Sequence, residues 1–200
     1  MKQLLYLSLL ICLLSQNYRD GKIFDSGLAM KKRADNAPLV LDKLNFMIGQ
    51  WDIDFTYHPN DTTSISSQGK SEISFMNRGH GIMERNYIQN FNANDDEWNS
   101  MSFLAFNTVT KSWSIGIANS FTESIEILDG DFENNKLILR NAIRRLGGAT
   151  LTYYNYSINQ LNDRQFEMIM KTSTDHMKSW KTSYSCRYTK RQFSENFIGS

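Results

Sequence analysis

The chain has 200 residues, of which 40% are hydrophobic and 22% charged, a composition that fits one folded domain and excludes a disordered tail. Its 22 lysines and arginines nearly balance its 21 aspartates and glutamates, giving a formal net charge of +1. This balance excludes a protein whose main partner is nucleic acid or an anionic membrane, because both partners require a dense basic surface.

The N-terminus has the pattern of an export signal. Lys2 precedes an almost wholly apolar run from Leu4 to Leu14, which is typical of a signal peptide and too short to span a bilayer. We therefore predict a signal peptide over residues 1–16 and a secreted or periplasmic protein. A buried apolar N-terminal helix is the alternative interpretation of the same run.

The rest of the chain divides into a lead-in, one domain and a tail. Residues 17–37 are polar and predict a flexible lead-in, residues 38–191 form the predicted domain, and residues 192–200 are a short tail. The two cysteines, Cys12 and Cys186, cannot form a disulfide framework. Once the signal peptide is removed, Cys186 is alone, and on a predicted strand we expect it to be a small buried residue.

Within the domain a short helix over Pro38–Phe46 precedes a series of strands. After Gly49, apolar and polar residues alternate from Trp51 to Tyr57, as expected of a half-buried strand. Asn134-Asn135 tolerates the positive φ of a tight hairpin turn. The further predicted strands are Lys70–Met76, Ile82–Gln89, Ser100–Phe106, Ser112–Asn119, Ser124–Phe132, Lys136–Ile143, Ala149–Ile158, Arg164–Lys171 and Trp180–Thr189.

About ten closely spaced strands with short turns predict an all-β protein, either an antiparallel barrel or a sandwich. The 12% aromatic content and the presence of only two prolines favour long uninterrupted strands. We predict the barrel with a short N-terminal helix, because closure removes the exposed sheet edges that so much β-structure would otherwise present.

A set of motifs resembles a known family. Leu44-Asn45-Phe46-Met47-Ile48-Gly49-Gln50-Trp51 places a short helix before a Gly-x-Trp at the first strand, as in the calycin superfamily of lipocalins and their relatives. The order of later motifs, such as Gly130–Leu137 and Tyr188–Arg191, is similar to the lipocalin-like bacterial domain-of-unknown-function family 1579. The resemblance covers roughly residues 40–191, and Phe106-Asn107 departs from the family's usual Tyr-Asp.

The resemblance implies a role for the Gly-x-Trp motif. Gly49 lets the backbone turn out of the helix, and Trp51 plugs one end of the barrel. In lipocalins an arginine of the last strand packs across this tryptophan, which makes Arg187 and Arg191 the candidates here. Alternation turns Arg187 outward if Tyr184 and Cys186 face inward.

A small barrel either fills its interior with side chains or encloses one ligand. The predicted ligand-binding residues are mostly aromatic and are expected to face inward: Phe55, Tyr57, Tyr87, Trp113, Phe166, Met168, Trp180 and Tyr184. Arg85 is added as the anchor of an anionic ligand if the Met83–Arg85–Tyr87 face of its strand points inward. If instead the face with Ile82, Glu84, Asn86 and Ile88 points inward, Arg85 is a solvated outer residue.

These features favour a secreted or periplasmic barrel that binds a small hydrophobic or amphiphilic molecule. One alternative is an enzyme that uses the cavity, with Arg85, Tyr87 and His58 as acid–base participants, and another is a closed structural barrel without a ligand. No Gly-x-Ser-x-Gly or His-Glu-x-x-His motif occurs, and the histidines have no chelating spacing. The sequence therefore assigns no catalytic residue, no metal and no cofactor.

Export can be tested on the mature protein. The pattern from Lys2 to Leu14 predicts that the mature chain begins between about Ser15 and Met30, by the usual leader length. Intact-mass measurement of the secreted or periplasmic fraction checks this expectation. Soluble cytoplasmic protein that retains Met1 would contradict it.

Overall fold

The computed structural model describes residues 32–76, 79–90, 97–120, 124–144 and 151–191, so the predicted signal peptide and tail lie outside the described residues. A 3₁₀ helix over Leu39–Met47 precedes ten strands. These are β1 Gly49–Tyr57, β2 Ile65–Met76, β3 Gly81–Ile88, β4 Trp98–Asn107, β5 Ser112–Asn119, β6 Ser124–Glu133, β7 Lys136–Arg144, β8 Leu151–Asn162, β9 Gln165–Ser173 and β10 Lys181–Lys190.

The ten strands form a closed antiparallel barrel in which each strand pairs with its neighbours along the chain. β10 returns to β1 and closes the barrel, with a register that runs from Trp51 opposite Lys190 to Tyr57 opposite Tyr184. The predicted all-β barrel with a short N-terminal helix is confirmed. In the stretches that the structure describes, no helix has the length and apolar character needed to cross a bilayer.

Most predicted strand bounds agree with the structure to within two or three residues, and β2 is the main exception. It begins at Ile65, five residues before the predicted Lys70. The added residues are mostly polar and carry no alternating apolar pattern, but they pair with the second half of β1, as Ser67 does with Phe55. Backbone pairing, which no local pattern reports, therefore sets this boundary.

The helix closes one end of the barrel, here called the helix end, where β1 begins and β10 finishes. Leu41, Leu44 and Met47 of the helix are buried in the barrel core. Trp51 is 1% exposed, donates its indole N–H to the Met47 carbonyl at 2.7 Å and meets Phe166 edge-on at 4.8 Å between ring centroids. Trp51 thus joins the helix to the sheet, as the Gly-x-Trp motif predicted.

Two backbone conformations confirm the predicted turns. Gly49 adopts φ +143°, a value that other residues rarely take, at the point where the chain leaves the helix for β1. Asn134 and Asn135 adopt φ of 50° and 65°, as a two-residue hairpin turn requires. This turn joins β6 to β7, whose pairing extends only from Asp129 to Glu133.

The cation that lies over Trp51 is a lysine. Lys190 shares the face of Trp51 and places Nζ 5.4 Å from its ring centroid. Arg191 instead pairs with Asp52 at 3.2 Å, and Arg187 is exposed on the outer face. The expectation of an arginine at this place is therefore wrong for both candidates, because the inward alternation of β10 selects Lys190.

Replacing Trp51 with alanine tests this description of the helix end. Trp51→Ala is expected to lower the free energy of unfolding by about 3–5 kcal/mol, because it removes a large buried ring from the core. Urea denaturation measures the loss. Trp180→Ala is the matched control, since Trp180 is only half-buried and lies outside the strands. Equal losses for the two variants would contradict the assignment.

Candidate ligand-binding site

Glu84 is a buried carboxyl group at the middle of β3. The inward residues of this strand are Ile82, Glu84, Asn86 and Ile88, whereas the residues between them are only half-buried. Glu84 is 3% exposed and Asn86 9% exposed. Such strongly polar side chains are seldom buried without partners, so the interior of the barrel has a polar centre.

Neighbouring strands supply hydrogen-bond donors to this carboxylate. Ser71 of β2 donates from Oγ to Oε1 of Glu84 at 3.2 Å, and Ser102 of β4 donates from Oγ to Oε2 at 3.0 Å. The Tyr188 hydroxyl of β10 also hydrogen bonds to it. Side chains of three strands therefore meet at Glu84, because the alternation of each strand directs these residues toward the interior of the barrel.

Burial raises the pKa of Glu84 above its ordinary value, because removal from water disfavours the charged form. Hydrogen bonds from Tyr188, Ser102, Asn86 and Ser71 oppose this rise without cancelling it. Among the described residues no lysine or arginine forms an ion pair with Glu84. The carboxyl group is therefore held by neutral donors alone.

A small cavity lies beside Glu84. Its volume is about 20 Å³, enough for one water-sized group. Asn86 donates from Nδ2 to the Tyr188 hydroxyl at 3.4 Å, while its Oδ1 is buried without a hydrogen-bond partner. The lining side chains are Phe55, Glu84, Asn86, Ile88, Trp98, Ser100, Ser102, Ile117, Tyr156, Tyr184, Cys186 and Tyr188.

Three aromatic rings, here called the aromatic roof, cover the cavity on the side away from the helix: Phe55, Trp98 and Tyr184. Trp98 meets Phe55 edge-on at 4.9 Å between centroids and Tyr184 edge-on at 5.0 Å. These residues lie close to the far end of the barrel, where β1 finishes and β4 and β10 begin. A molecule that enters from the far end must therefore pass the aromatic roof.

The other titratable groups around the cavity are neutral acids. Burial raises the pKa of the phenols of Tyr156, Tyr184 and Tyr188 and of the thiol of Cys186, and the charge of Glu84 adds to each rise. Cys186 is 5% exposed and is a buried thiol, as its strand position predicted. It has none of the electropositive surroundings that a reactive thiolate requires.

The structure brings some of the predicted ligand-binding residues to the cavity. Phe55 and Tyr184 line it, and Met168 lies behind it, where its sulfur accepts the Tyr156 hydroxyl. Tyr57 is half-buried at the end of β1 and packs against the core. Trp113 and Phe166 face inward as predicted, but they belong to the packed core of the helix end and do not line the cavity.

Arg85 and Tyr87 do not face the interior, so the inward orientation predicted for Tyr87 is wrong and Arg85 takes the outer alternative, while Trp180 does not line the cavity. Arg85 and Tyr87 lie on the outer face of β3, where long amphipathic side chains run along the surface. Trp180 precedes β10, which begins at Lys181. The acid–base set of Arg85, Tyr87 and His58 is likewise not assembled in the cavity, since two of its members are on the outside.

Sequence reasoning missed the polar centre. Ile82 and Ile88 stand at the two ends of the inward face of β3. These two β-branched apolar residues were the available sequence signal for the orientation of the strand. Ser71 and Ser102 carry no such signal, because their role depends on pairing with β3. Only the assembled sheet shows that they meet at Glu84.

The fold and site define a closed antiparallel ten-stranded barrel with a small cavity in its interior. No family model matches the chain, and no curated protein matches it. Among solved structures it is similar to the S-type phycobiliprotein lyase CPES from Guillardia theta. The TM-score is 0.52 at 10% sequence identity, over 77% of this chain and 93% of the lyase chain, so the similarity concerns the fold.

The raised pKa of Glu84 predicts a pH-dependent stability. The folded protein holds this proton more tightly than the unfolded chain does, so stability falls as the pH rises from the ordinary value of 4.5 through the raised folded pKa. The other titratable groups that line the cavity are Tyr156, Tyr184, Cys186 and Tyr188, and all of them stay neutral through this window.

Glu84→Gln should remove this loss. Its stability relative to the wild type, from urea midpoints over a pH series, is expected to rise as the pH increases above the ordinary value of 4.5. Glu133→Gln is the control, because the guanidinium of Arg140 lowers the pKa of Glu133. The stability of this variant relative to the wild type is expected to fall as the pH rises. A pH-independent difference between wild type and Glu84→Gln would contradict the prediction.

Proposed function

We propose that this protein is an exported barrel that binds a small, largely apolar molecule bearing one polar group. The polar group lies beside Glu84, and the apolar part lies against the aromatic roof. The proposal includes export, supported by the pattern from Lys2 to Leu14, and membership of the lipocalin-like family 1579, supported by motif order and fold.

One observation carries the binding proposal: the interior holds a cavity at which a buried hydrogen-bond acceptor has no partner. Asn86 Oδ1 is buried at the cavity without a partner. Leaving a buried acceptor unsatisfied costs about 1–3 kcal/mol. A hydrogen-bond donor on a bound ligand would remove this cost.

The size of the cavity determines how such a ligand binds. A volume of about 20 Å³ accepts a polar head group but not the apolar part of the molecule. The apolar part must therefore displace rings of the aromatic roof. This structure is then the closed form of the barrel, and the ligand stabilises an open form with a larger cavity. A tyrosine and a tryptophan in the roof provide large apolar surfaces for this contact.

An enzyme is the second candidate, favoured by the raised pKa of Glu84. A buried carboxyl of raised pKa in a cavity is a frequent general acid or base, and the similar barrel from Guillardia theta is named as a lyase. In this case the bound molecule is consumed, whereas a binding protein returns it unchanged. Mass spectrometry of the molecule after incubation separates the two.

Binding inside the barrel can be tested with the neutral fluorescent probe N-phenyl-1-naphthylamine. Its emission is expected to rise on addition of the wild-type protein. Ser100→Phe should weaken binding at least about tenfold, because Ser100 lines the cavity and a ring there fills the space for the head group.

Ala105→Phe is the matched control, since Ala105 is exposed on the outer face of the same strand. It should leave the affinity unchanged. Near-UV circular dichroism verifies that both variants remain folded. Absence of an emission increase with the wild type, or equal effects of the two variants, would overturn the proposal.

A further inference from the structure

We propose that the cavity recognises a protonated amino group, with Glu84 as its counter-ion and Asn86 Oδ1 as a second acceptor. This inference rests on the binding function proposed above and adds the chemical class of the ligand. It replaces the anionic ligand that an inward Arg85 would have bound.

The first argument is the sign of the interior charge. On the inward faces of the strands that the structure describes, the carboxylates are Glu84 and Glu126, the latter sharing the face of buried Leu128. The charge of Glu126 reaches the aromatic roof, where it contributes to raising the pKa of Tyr184. Lys190 is the single inward cation of the described residues, and it lies at the helix end over Trp51.

Three aromatic rings in mutual contact lie between Lys190 and the cavity. Trp51 contacts Phe166 edge-on at 4.8 Å, and Phe166 stacks on Tyr188 at 4.2 Å. Tyr188 is the ring that lines the cavity. The positive charge of Lys190 is therefore separated from Glu84 by three aromatic layers, and the cavity has an acidic character.

The second argument is the type of hydrogen-bonding atom left available. Asn86 is 9% exposed, and its buried Oδ1, an acceptor, has no partner. The Glu84 carboxylate beside it is also an acceptor, and its hydrogen-bond partners among the described residues are all neutral, so it has no counter-ion there. An ammonium group supplies three donors and no acceptor, which matches this set.

The third argument is size and surface. An ammonium head group has about the size of a water molecule, and the cavity holds about 20 Å³. The three rings of the aromatic roof, Phe55, Trp98 and Tyr184, surround the way out of the cavity. Aromatic faces attract cations, so the same rings that contact the apolar part also favour a positive head group.

Together these features select against anions. A carboxylate ligand would meet the like charge of ionised Glu84 and would find the acceptor Oδ1 of Asn86 where it needs a donor. A neutral alcohol would satisfy one acceptor and gain no ion pair. Selectivity should therefore follow the order amine, alcohol, acid for molecules of equal size.

The test uses three matched probes in isothermal titration calorimetry at neutral pH: 2-phenylethylamine, 2-phenylethanol and phenylacetate. The wild-type protein is expected to bind the amine at least about tenfold more tightly than the alcohol, and the acid most weakly, since hydrogen bonds to charged groups are the stronger ones. This order needs no variant, so it does not depend on the folding of one.

Variants then locate the effect. Glu84→Gln should weaken the amine about tenfold or more and change the alcohol by less than about twofold, because Gln keeps the shape and loses the charge. Glu126→Gln should also weaken binding of the amine, by a smaller factor. Glu133→Gln, on an exposed carboxyl paired with Arg140, should leave all three affinities unchanged.

The outcomes separate this inference from the binding function. If the alcohol or the acid binds as tightly as the amine, or if Glu84→Gln leaves the amine affinity unchanged, the amine inference is overturned and the binding function stands. If none of the three probes binds and N-phenyl-1-naphthylamine also fails, both are overturned. A loss of amine affinity in Glu84→Gln, with the alcohol affinity nearly unchanged, supports the assignment.

Discussion

The pairing of β10 with β1 is the contact on which the remaining structure depends, because it turns a ten-strand sheet into a barrel with one interior. The register from Trp51 opposite Lys190 to Tyr57 opposite Tyr184 fixes which side of each strand faces inward. A slip of one residue would exchange the inward and outward faces of β10. The burial of Cys186 and Tyr188, and the place of Tyr188 beside Glu84, follow from this register.

Closure gives the barrel two unlike halves. The half near the helix is filled by interlocking rings, and Trp51, Phe166 and Trp113 are all fully buried there. The half beyond Glu84 contains serines, an asparagine and a cavity. The first half supplies the stability that permits the second half to carry buried polar groups, whose desolvation alone is unfavourable.

The sequence predicted the fold well, and its site less well, for physical reasons that differ between strands. In β1 the alternation of Trp51, Ile53 and Phe55 with aspartates and a threonine leaves one possible orientation. In β3 both faces carry polar and apolar residues, since Arg85 and Tyr87 lie on one face and Glu84 and Asn86 on the other. Long side chains can extend along the outer surface, so size and aromatic character did not mark the inner face.

Hydrogen-bond donors on other strands decide the orientation of β3. Ser71 and Ser102 satisfy Glu84 only when the sheet is assembled, at separations of 13 and 18 residues along the chain. Trp180 fails as a prediction for a similar reason, because the strand starts one residue later and its pairing shifts between Thr182 and Tyr184. Pairing irregularities of this kind have no local pattern.

The short ladder between β6 and β7 gives the barrel a seam. Only five residue pairs, from Asp129 opposite Arg140 to Glu133 opposite Lys136, join these strands in the described part of the chain. Ile125 and Ile127 of β6, beyond the ladder, are 69% and 55% exposed, and there the described residues of β6 form a ladder with β5 only, with Asn141 of β7 donating from its side chain to the Ile127 carbonyl. Local opening costs least where a strand has one partner. We therefore expect β6 and β7 to separate first along this seam, while the strands at the helix end remain paired.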